Sequence, residues 1–165
     1  MNWEAIATIA EVVGALGVIA SLLYVGVQVR HNSEATRAAT TAQTLDQSAL
    51  TSQFLAQDKV SSNLYFRGLK DPLLLEQDEK SQYFFIMLSM FRRYENTEYQ
   101  YRKGLFDEGA WEGMRGNIVT IIERPGFEWF WERAKQGYSP SFRKLLEGMK
   151  GNENARPNKV LNSDP

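Results

Sequence analysis

The sequence contains no cysteine and one histidine, His31. The lack of cysteine excludes disulfides, thiolate nucleophiles and cysteine-ligated zinc or iron–sulfur centres. A single imidazole excludes HExxH zinc sites and the paired Glu-x-x-His motifs of di-iron bundles. Phosphate-loop, dinucleotide and nucleophile-elbow motifs are also missing. We therefore expect a non-enzymatic protein with no catalytic residues, no metal and no cofactor.

The sequence has almost equal numbers of positive and negative side chains, with 19 Lys and Arg residues and 20 Asp and Glu residues. A balanced charge gives no general attraction to polyanions, so we expect no nucleic-acid partner. A chain of 165 residues has room for one domain of ordinary size and an anchor.

Helix breakers are rare in the first half of the chain: no proline precedes Pro72, and no glycine lies between Gly26 and Gly68. Residues 5–27 form an apolar stretch that only Thr8 and Glu11 interrupt. As a helix, a stretch of this length spans a bilayer. We predict a transmembrane helix over residues 5–29, with membrane lipid as its partner. A cleaved signal peptide and a buried core helix are the alternatives, although the chain lacks a positively charged leader.

The charges that flank this segment predict its orientation. Arg30 and Arg37 follow it, whereas Glu4 is the side-chain charge that precedes it. The positive-inside rule then places the N-terminus outside and the soluble domain in the cytoplasm.

One face of the predicted helix carries small residues. At 100° per residue, bulky Val12, Leu16, Ile19 and Leu23 lie opposite a small-residue stripe. Such stripes let helices approach closely in lipid, so we predict self-association or contact with another membrane protein. We call the face the small-residue seam. Its predicted oligomer-interface positions are Ala7, Ala10, Gly14, Gly17, Ser21, Ala35, Ala38, Ala42, Leu45 and Ala49.

The seam keeps its period beyond the membrane, which predicts a helical stalk over residues 30–57 with coiled-coil character. A capped restart at Asn32 or Ser33 is an open alternative. Gln28 and His31 lie on the seam and Glu11 on its flank, so an oligomer could turn these three residues into polar rings along a pore. The simpler interpretation is that all three are interfacial.

The remaining chain reads as a helical domain over residues 58–150 and a disordered tail over 151–165. Asp58, Asp78, Asp107 and Ser139 are predicted to cap successive helices. No strand pattern of useful length occurs, so the predicted fold is all-α: one transmembrane helix that continues into a long stalk helix, followed by a small helical bundle.

Two clusters could carry function. Arg92, Glu95, Tyr99 and Arg102 share one helix face and could form a polar pocket for a carboxylate or phosphate, or a network that ties helices together. The aromatic residues between positions 127 and 131 could contact the membrane surface, line a pocket or pack in the core.

Three segments are similar to those of a family of short, uncharacterised bacterial membrane proteins: WEAIATIAEVVGALGVIASLLYVGVQVRHN, FRRYENTEYQYRKGLFDEGAWEGMR and PGFEWFWERAKQGYSPSFRKLL. The resemblance covers residues 3–147. It implies a location in the bacterial inner membrane and brings no activity, substrate or catalytic residue.

Three hypotheses follow. The first is a non-catalytic single-pass membrane protein that self-assembles through the seam and acts as a scaffold or accessory subunit. The second is an oligomeric ion channel lined by the N-terminal helices. The third is a cytoplasmic ligand sensor or enzyme that uses the helix from Arg92 to Arg102.

Overall fold

The computed structural model describes residues 2–150, apart from the side chains of residues 5, 6 and 8–10. Within that part of the chain there are α-helices, two short 3₁₀ turns and no strand. The predicted all-α class, with a long N-terminal helix followed by a helical bundle, is confirmed. The predicted tail, residues 151–165, lies outside the described residues. The helices are α1 Trp3–Gln57, α2 Lys59–Lys70, α3 Gln77–Arg102, α4 Glu108–Ile122, α5 Pro125–Ala134 and α6 Pro140–Lys150, and the 3₁₀ turns are Pro72–Leu74 and Lys135–Gly137.

Helix α1 runs without a break for 55 residues, about 80 Å at 1.5 Å per residue. The alternative restart at Asn32 or Ser33 does not occur. The Ser33 hydroxyl donates to the Val29 carbonyl at 2.9 Å, and the Thr36 hydroxyl donates to the Asn32 carbonyl at 2.8 Å. These polar side chains are satisfied inside the helix, so none of them has to end it.

Three of the four predicted caps are confirmed. The Asp58 carboxylate accepts from the Val60 and Ser61 backbone N–H groups, the Asp107 carboxylate accepts from the Ala110 N–H, and the Ser139 hydroxyl accepts from the Phe142 N–H. Each of these side chains satisfies a donor that the first turn of a helix leaves free.

The prediction for Asp78 was wrong, because α3 begins at Gln77 and its N-cap is Glu76, two residues before Asp78. The Glu79 carboxylate reaches back to the Glu76 N–H at 3.0 Å, which is the reciprocal bond of a capping box. At the other end of α3, Gly104 has a φ of +71°. This conformation lets the Leu105 N–H bond to the Gln100 carbonyl at 2.9 Å, which closes the helix as a Schellman motif.

The core of the bundle is aromatic and is centred on Phe91 of α3. Its ring centroid lies 5.1 Å from that of Phe127 and 5.6 Å from that of Phe130, both on α5, and 5.4 Å from that of Tyr94. Offset and edge contacts at these distances add to the free energy of burial. Other fully buried side chains come from α3, α4, α6 and the loop before α4: Tyr83, Met87, Ile118, Ile122, Phe106, Phe142 and Leu146.

Helices α2 and α5 cross at two glycines. A Cβ on Gly126 would lie 2.2 Å from the Gly68 carbonyl oxygen and 2.4 Å from the Tyr83 hydroxyl. A Cβ on Gly68 would lie 2.3 Å from the Tyr83 ring. All three distances are far below van der Waals contact, so α5 requires glycine where it meets the backbone of α2, and α2 requires glycine where it meets the Tyr83 ring of α3.

We expect Gly126→Ala to lower the free energy of unfolding by about 1–3 kcal/mol, because the new methyl group overpacks the crossing. The matched control is Gly116→Ala in α4, where a Cβ would meet nothing within 4 Å. It should raise stability by about 0.5–1 kcal/mol, since alanine favours the helix. Near-UV circular dichroism of the full-length protein during urea unfolding reports the aromatic core. Equal midpoints for the two variants would show that the crossing is not tight.

Candidate functional site

The first half of α1 touches no other part of the described chain with its apolar side chains. From Val12 to Val29 the large apolar residues are 52–68% exposed. Among the described residues, this helix meets the length and composition expected of a membrane span, and its most apolar window of 18 residues is entirely unburied. The alternative of a core helix buried within this chain is therefore wrong. A surface of this size requires lipid or another protein to cover it.

The second half of α1 contacts the bundle through a polar face, which we call the docking face. It comprises Arg37, Thr40, Thr41, Thr44, Ser48, Thr51 and Leu55, which recur at helical spacing. Thr44 is buried: its hydroxyl bonds to the Thr40 carbonyl and lies 3.4 Å from Gln100 Oε1 of α3. This face was missed from the sequence, although the spacing of its threonines and serines was a usable signal.

Asp107 joins the bundle to α1 at the end of the docking face that is nearer the span. Its backbone N–H donates to Thr41 Oγ1 at 3.0 Å, and its carboxylate lies 3.5 Å from the Arg37 guanidinium. The pKa of this carboxyl lies below its ordinary value, mainly because the Ala110 N–H bonds to it and partly because Arg37 is close. One residue therefore caps α4 and attaches it to the long helix.

The small-residue seam lies on the side of α1 away from the docking face. Ala35, Ala38, Ala42, Leu45 and Ala49 are exposed, as are Ala7, Gly14, Gly17 and Ser21, whereas the side chain of Ala10 lies outside the described part. A Cβ on Gly14 or Gly17 would meet nothing within 4 Å. The bundle therefore leaves the described alanines, glycines and serine of the seam uncovered, whereas Leu45 also lines a cavity against the bundle. The role of the seam as an oligomer interface stays a prediction.

The three residues expected to form polar rings are also exposed on α1. Glu11 lies at the beginning of the apolar stretch, and Gln28 and His31 lie at its end. Their role in a pore stays a prediction, because it depends on neighbouring copies of the helix.

The residues of the predicted polar pocket divide into two groups that tie α3 to the beginning of α6. Arg92 Nη1 donates to Glu95 at 2.9 Å and to the Gly137 carbonyl at 2.9 Å, and its guanidinium lies 4.3 Å above the Tyr138 ring. Glu95 in turn accepts from the Ser139 N–H at 2.7 Å. These contacts resemble the structural network that the sequence left as an alternative.

The second group is centred on Arg102. Its Nε donates to the mostly buried Glu98 at 2.5 Å, its Nη2 donates to the Ser141 hydroxyl at 3.1 Å, and its guanidinium lies 5.8 Å from the Tyr99 ring. Glu98 and Arg102 have the i, i+4 order that favours an ion pair on a helix. Glu98 Oε2 in the second group and the Tyr138 hydroxyl in the first are buried without a hydrogen-bond partner among the described residues. Arg92, Glu95, Tyr99 and Arg102 line none of the three cavities described below.

The aromatic run of α5 packs into the core. Phe127, Phe130 and Trp131 are buried, which matches the core-packing alternative. Trp129 is half-buried, contacts the Arg133 guanidinium and lines a surface cavity of about 880 Å³ together with Asp71, Pro72, Arg124 and Lys150.

Two smaller cavities lie where α1 rests on the bundle. One of about 400 Å³ is bounded by α1, α3 and α4, and one of about 320 Å³ lies between α1 and α3. Thr51, Leu55 and Arg93 line both of them. Such cavities depend on side chains from distant parts of the chain, so the sequence alone gave no sign of them.

No family model, curated protein or solved structure matches this chain. The resemblance to a family of bacterial membrane proteins therefore stays a prediction, and no activity or site is transferred from another protein.

We expect Glu95→Gln to lower the free energy of unfolding at pH 7 by about 1–2 kcal/mol, because charge-assisted hydrogen bonds are lost. Desolvation raises the pKa of Glu95, but the bonds from Ser139 and Arg92 together lower it further, so the folded pKa lies below the ordinary value. The stabilisation is therefore present above the unfolded pKa and is lost as the pH falls through the folded pKa.

Urea unfolding at pH 7 and at several acidic pH values measures this dependence. The control is Glu147→Gln, an exposed carboxylate on α6, which should change stability by less than about 0.5 kcal/mol at any pH. A Glu95→Gln effect that does not shrink on acidification would contradict the assigned ion pair.

Proposed function

We propose that this protein is a single-pass membrane scaffold that holds a small helical bundle at the cytoplasmic face of a bacterial inner membrane and self-associates through α1. The observation that carries this proposal is that every large apolar residue of α1 from Val12 to Val29 is exposed. The bundle is stabilised by its own aromatic core, and the exposed apolar surface of α1 is not part of that core. Lipid is the environment that covers a uniformly apolar helix of this length.

The attachment of the bundle supports a position near the membrane surface. The docking face begins at Arg37, eight residues after Val29, which corresponds to about 12 Å of helix. Because α1 is continuous through this interval, the bundle and the span form one helical unit rather than two parts joined by a loose linker. Arg30 and Arg37 on this side favour a cytoplasmic bundle.

The uncovered seam supports self-association. The bundle binds the docking face, so the small residues on the other side of α1 remain free to meet a second α1 without moving the bundle. In lipid, close backbone approach and van der Waals packing take the place of the hydrophobic effect between helices. The exposed alanines of the stalk continue the same surface beyond the membrane.

The membrane anchor can be tested by introducing charged side chains into the apolar stretch of α1. Each arginine at the centre of a span costs about 2.5–3.5 kcal/mol, so Val18→Arg with Leu22→Arg should move the protein from the membrane fraction to the soluble or aggregated fraction. The matched control is Leu73→Arg with Leu74→Arg, which places the same charges on exposed residues of the bundle. Retention of the span variant in membranes after an alkaline wash would refute the anchor.

Self-association through the seam can be tested by placing a bulky side chain on it. Gly17→Leu should weaken self-association in native nanodiscs about tenfold or more, because leucine keeps the helices apart at the seam. The control Ala15→Leu adds a similar side chain to an exposed position on the opposite side of α1. Native mass spectrometry should show a defined oligomer for the wild type and for Ala15→Leu, and monomers for Gly17→Leu. A monomeric wild type at every concentration would refute self-association while leaving the anchor standing.

A further inference from the structure

The cavity between α1, α3 and α4 has the dimensions of a small-molecule site. Its volume of about 400 Å³ lies within the range of about 300–1,000 Å³ typical of ligand pockets. Its walls are mainly apolar, and two of its residues are methionines, whose flexible side chains adapt to ligands of different shape. The apolar lining residues include Leu45, Leu55, Met90, Tyr94 and Met114.

Arg93 is the only charged residue among the described side chains that line this cavity. Its guanidinium donates a hydrogen bond to the Thr51 hydroxyl, and within residues 2–150 it pairs with no carboxylate. Arg93 also lines the neighbouring cavity of about 320 Å³, beside Phe54 and Ile86. One half-buried cation therefore lies between two apolar cavities without a counter-charge, an arrangement that favours an incoming anion.

The remaining polar groups of the cavity do not supply that counter-charge. Tyr94 is the other titratable residue in its lining. Burial raises the pKa of the Tyr94 hydroxyl more than the nearby Arg93 lowers it, so the phenol is neutral at physiological pH. Ser48, Ser52 and Asn117 are uncharged.

We propose that this cavity binds a small amphipathic carboxylate, with the apolar body of the ligand between α1, α3 and α4 and its carboxylate on Arg93. The fork of guanidinium donors matches the two oxygens of a carboxylate. The volume suits one acyl chain or one aromatic ring system. The ligand contacts both the long helix and the bundle, so its binding strengthens the attachment of one to the other.

Photolabelling of the full-length protein in nanodiscs tests this site, with a diazirine-bearing dodecanoate as the probe. Mass spectrometry should place the label on Met90, Tyr94 or Met114. Competition by unlabelled dodecanoate and by 2-naphthoate distinguishes an acyl chain from an aromatic ring. Dodecanol should compete much less well than dodecanoate, because it lacks the negative charge.

Two glycines of α4 provide a matched pair of variants. Gly113 lines the cavity and Gly116 does not, and a Cβ on either would meet nothing within 4 Å. Gly113→Leu should fill the cavity and reduce labelling about tenfold or more, whereas Gly116→Leu should leave it within about twofold. Equal labelling of the two variants, or label confined to residues 3–29, would overturn the proposal.

The role of charge is tested by Arg93→Gln, which shortens the side chain and removes the cation. Labelling should fall about tenfold, as expected for loss of a charge-assisted hydrogen bond. A diazirine-bearing dodecanol should label both proteins equally. Labelling by the dodecanoate that is unchanged in Arg93→Gln would overturn the assignment of the carboxylate. If near-UV circular dichroism shows that Arg93→Gln has lost its fold, the glycine pair decides the outcome.

Discussion

The structure depends on the attachment of one long helix to a bundle that already has its own core. Asp107 contacts Arg37 and Thr41 at one end of the docking face, and Arg93 contacts Thr51 at the other. Each such hydrogen bond contributes a net stabilisation of only about 0.5–1.5 kcal/mol. The position of the bundle relative to the apolar half of α1 is therefore fixed by a few polar contacts rather than by extensive apolar burial, and this limits how firmly α1 is held.

Under the proposed function, helix α1 contacts three kinds of neighbour: lipid, the bundle and a second copy of α1. Its first half is apolar from Val12 to Val27, as the proposed lipid environment requires, and its second half presents hydroxyls to the bundle. The hydroxyls of Thr44 and Ser48 also bond to carbonyls one turn earlier, so they remain satisfied where the contact is loose. The alanines of the seam fall on the remaining side. The apolar stretch and the docking face are separated along the sequence, and the docking face and the seam are separated by rotation around the helix, so one continuous helix can present all three.

Features encoded by neighbouring residues could be predicted from the sequence. The continuity of α1 followed from the absence of proline before Pro72 and of glycine between Gly26 and Gly68. The caps at Asp58 and Asp107 followed from a side chain that reaches donors two or three residues away. The prediction that Asp78 caps α3 was wrong, because the Glu79 carboxylate bonds to the Glu76 N–H and the helix begins before Asp78. The crossing of Gly68 and Gly126 and the cavity beside Arg93 could not be predicted, since each joins residues that lie far apart in the chain.

The two cavities beside Arg93 follow from the polar character of the docking face. Threonine and serine are too short to fill the space between α1 and the surface of α3 and α4, so the helix rests on hydrogen bonds with gaps on both sides of the contact between Arg93 and Thr51. A leucine-rich face would close these gaps and gain free energy from burial. The chain instead keeps a weak contact, and the Arg93 cation at its centre pairs with no carboxylate among residues 2–150. A ligand that fills such a gap stabilises the docked arrangement by mass action, so the proposed carboxylate site would make the position of the bundle on α1 sensitive to a small molecule.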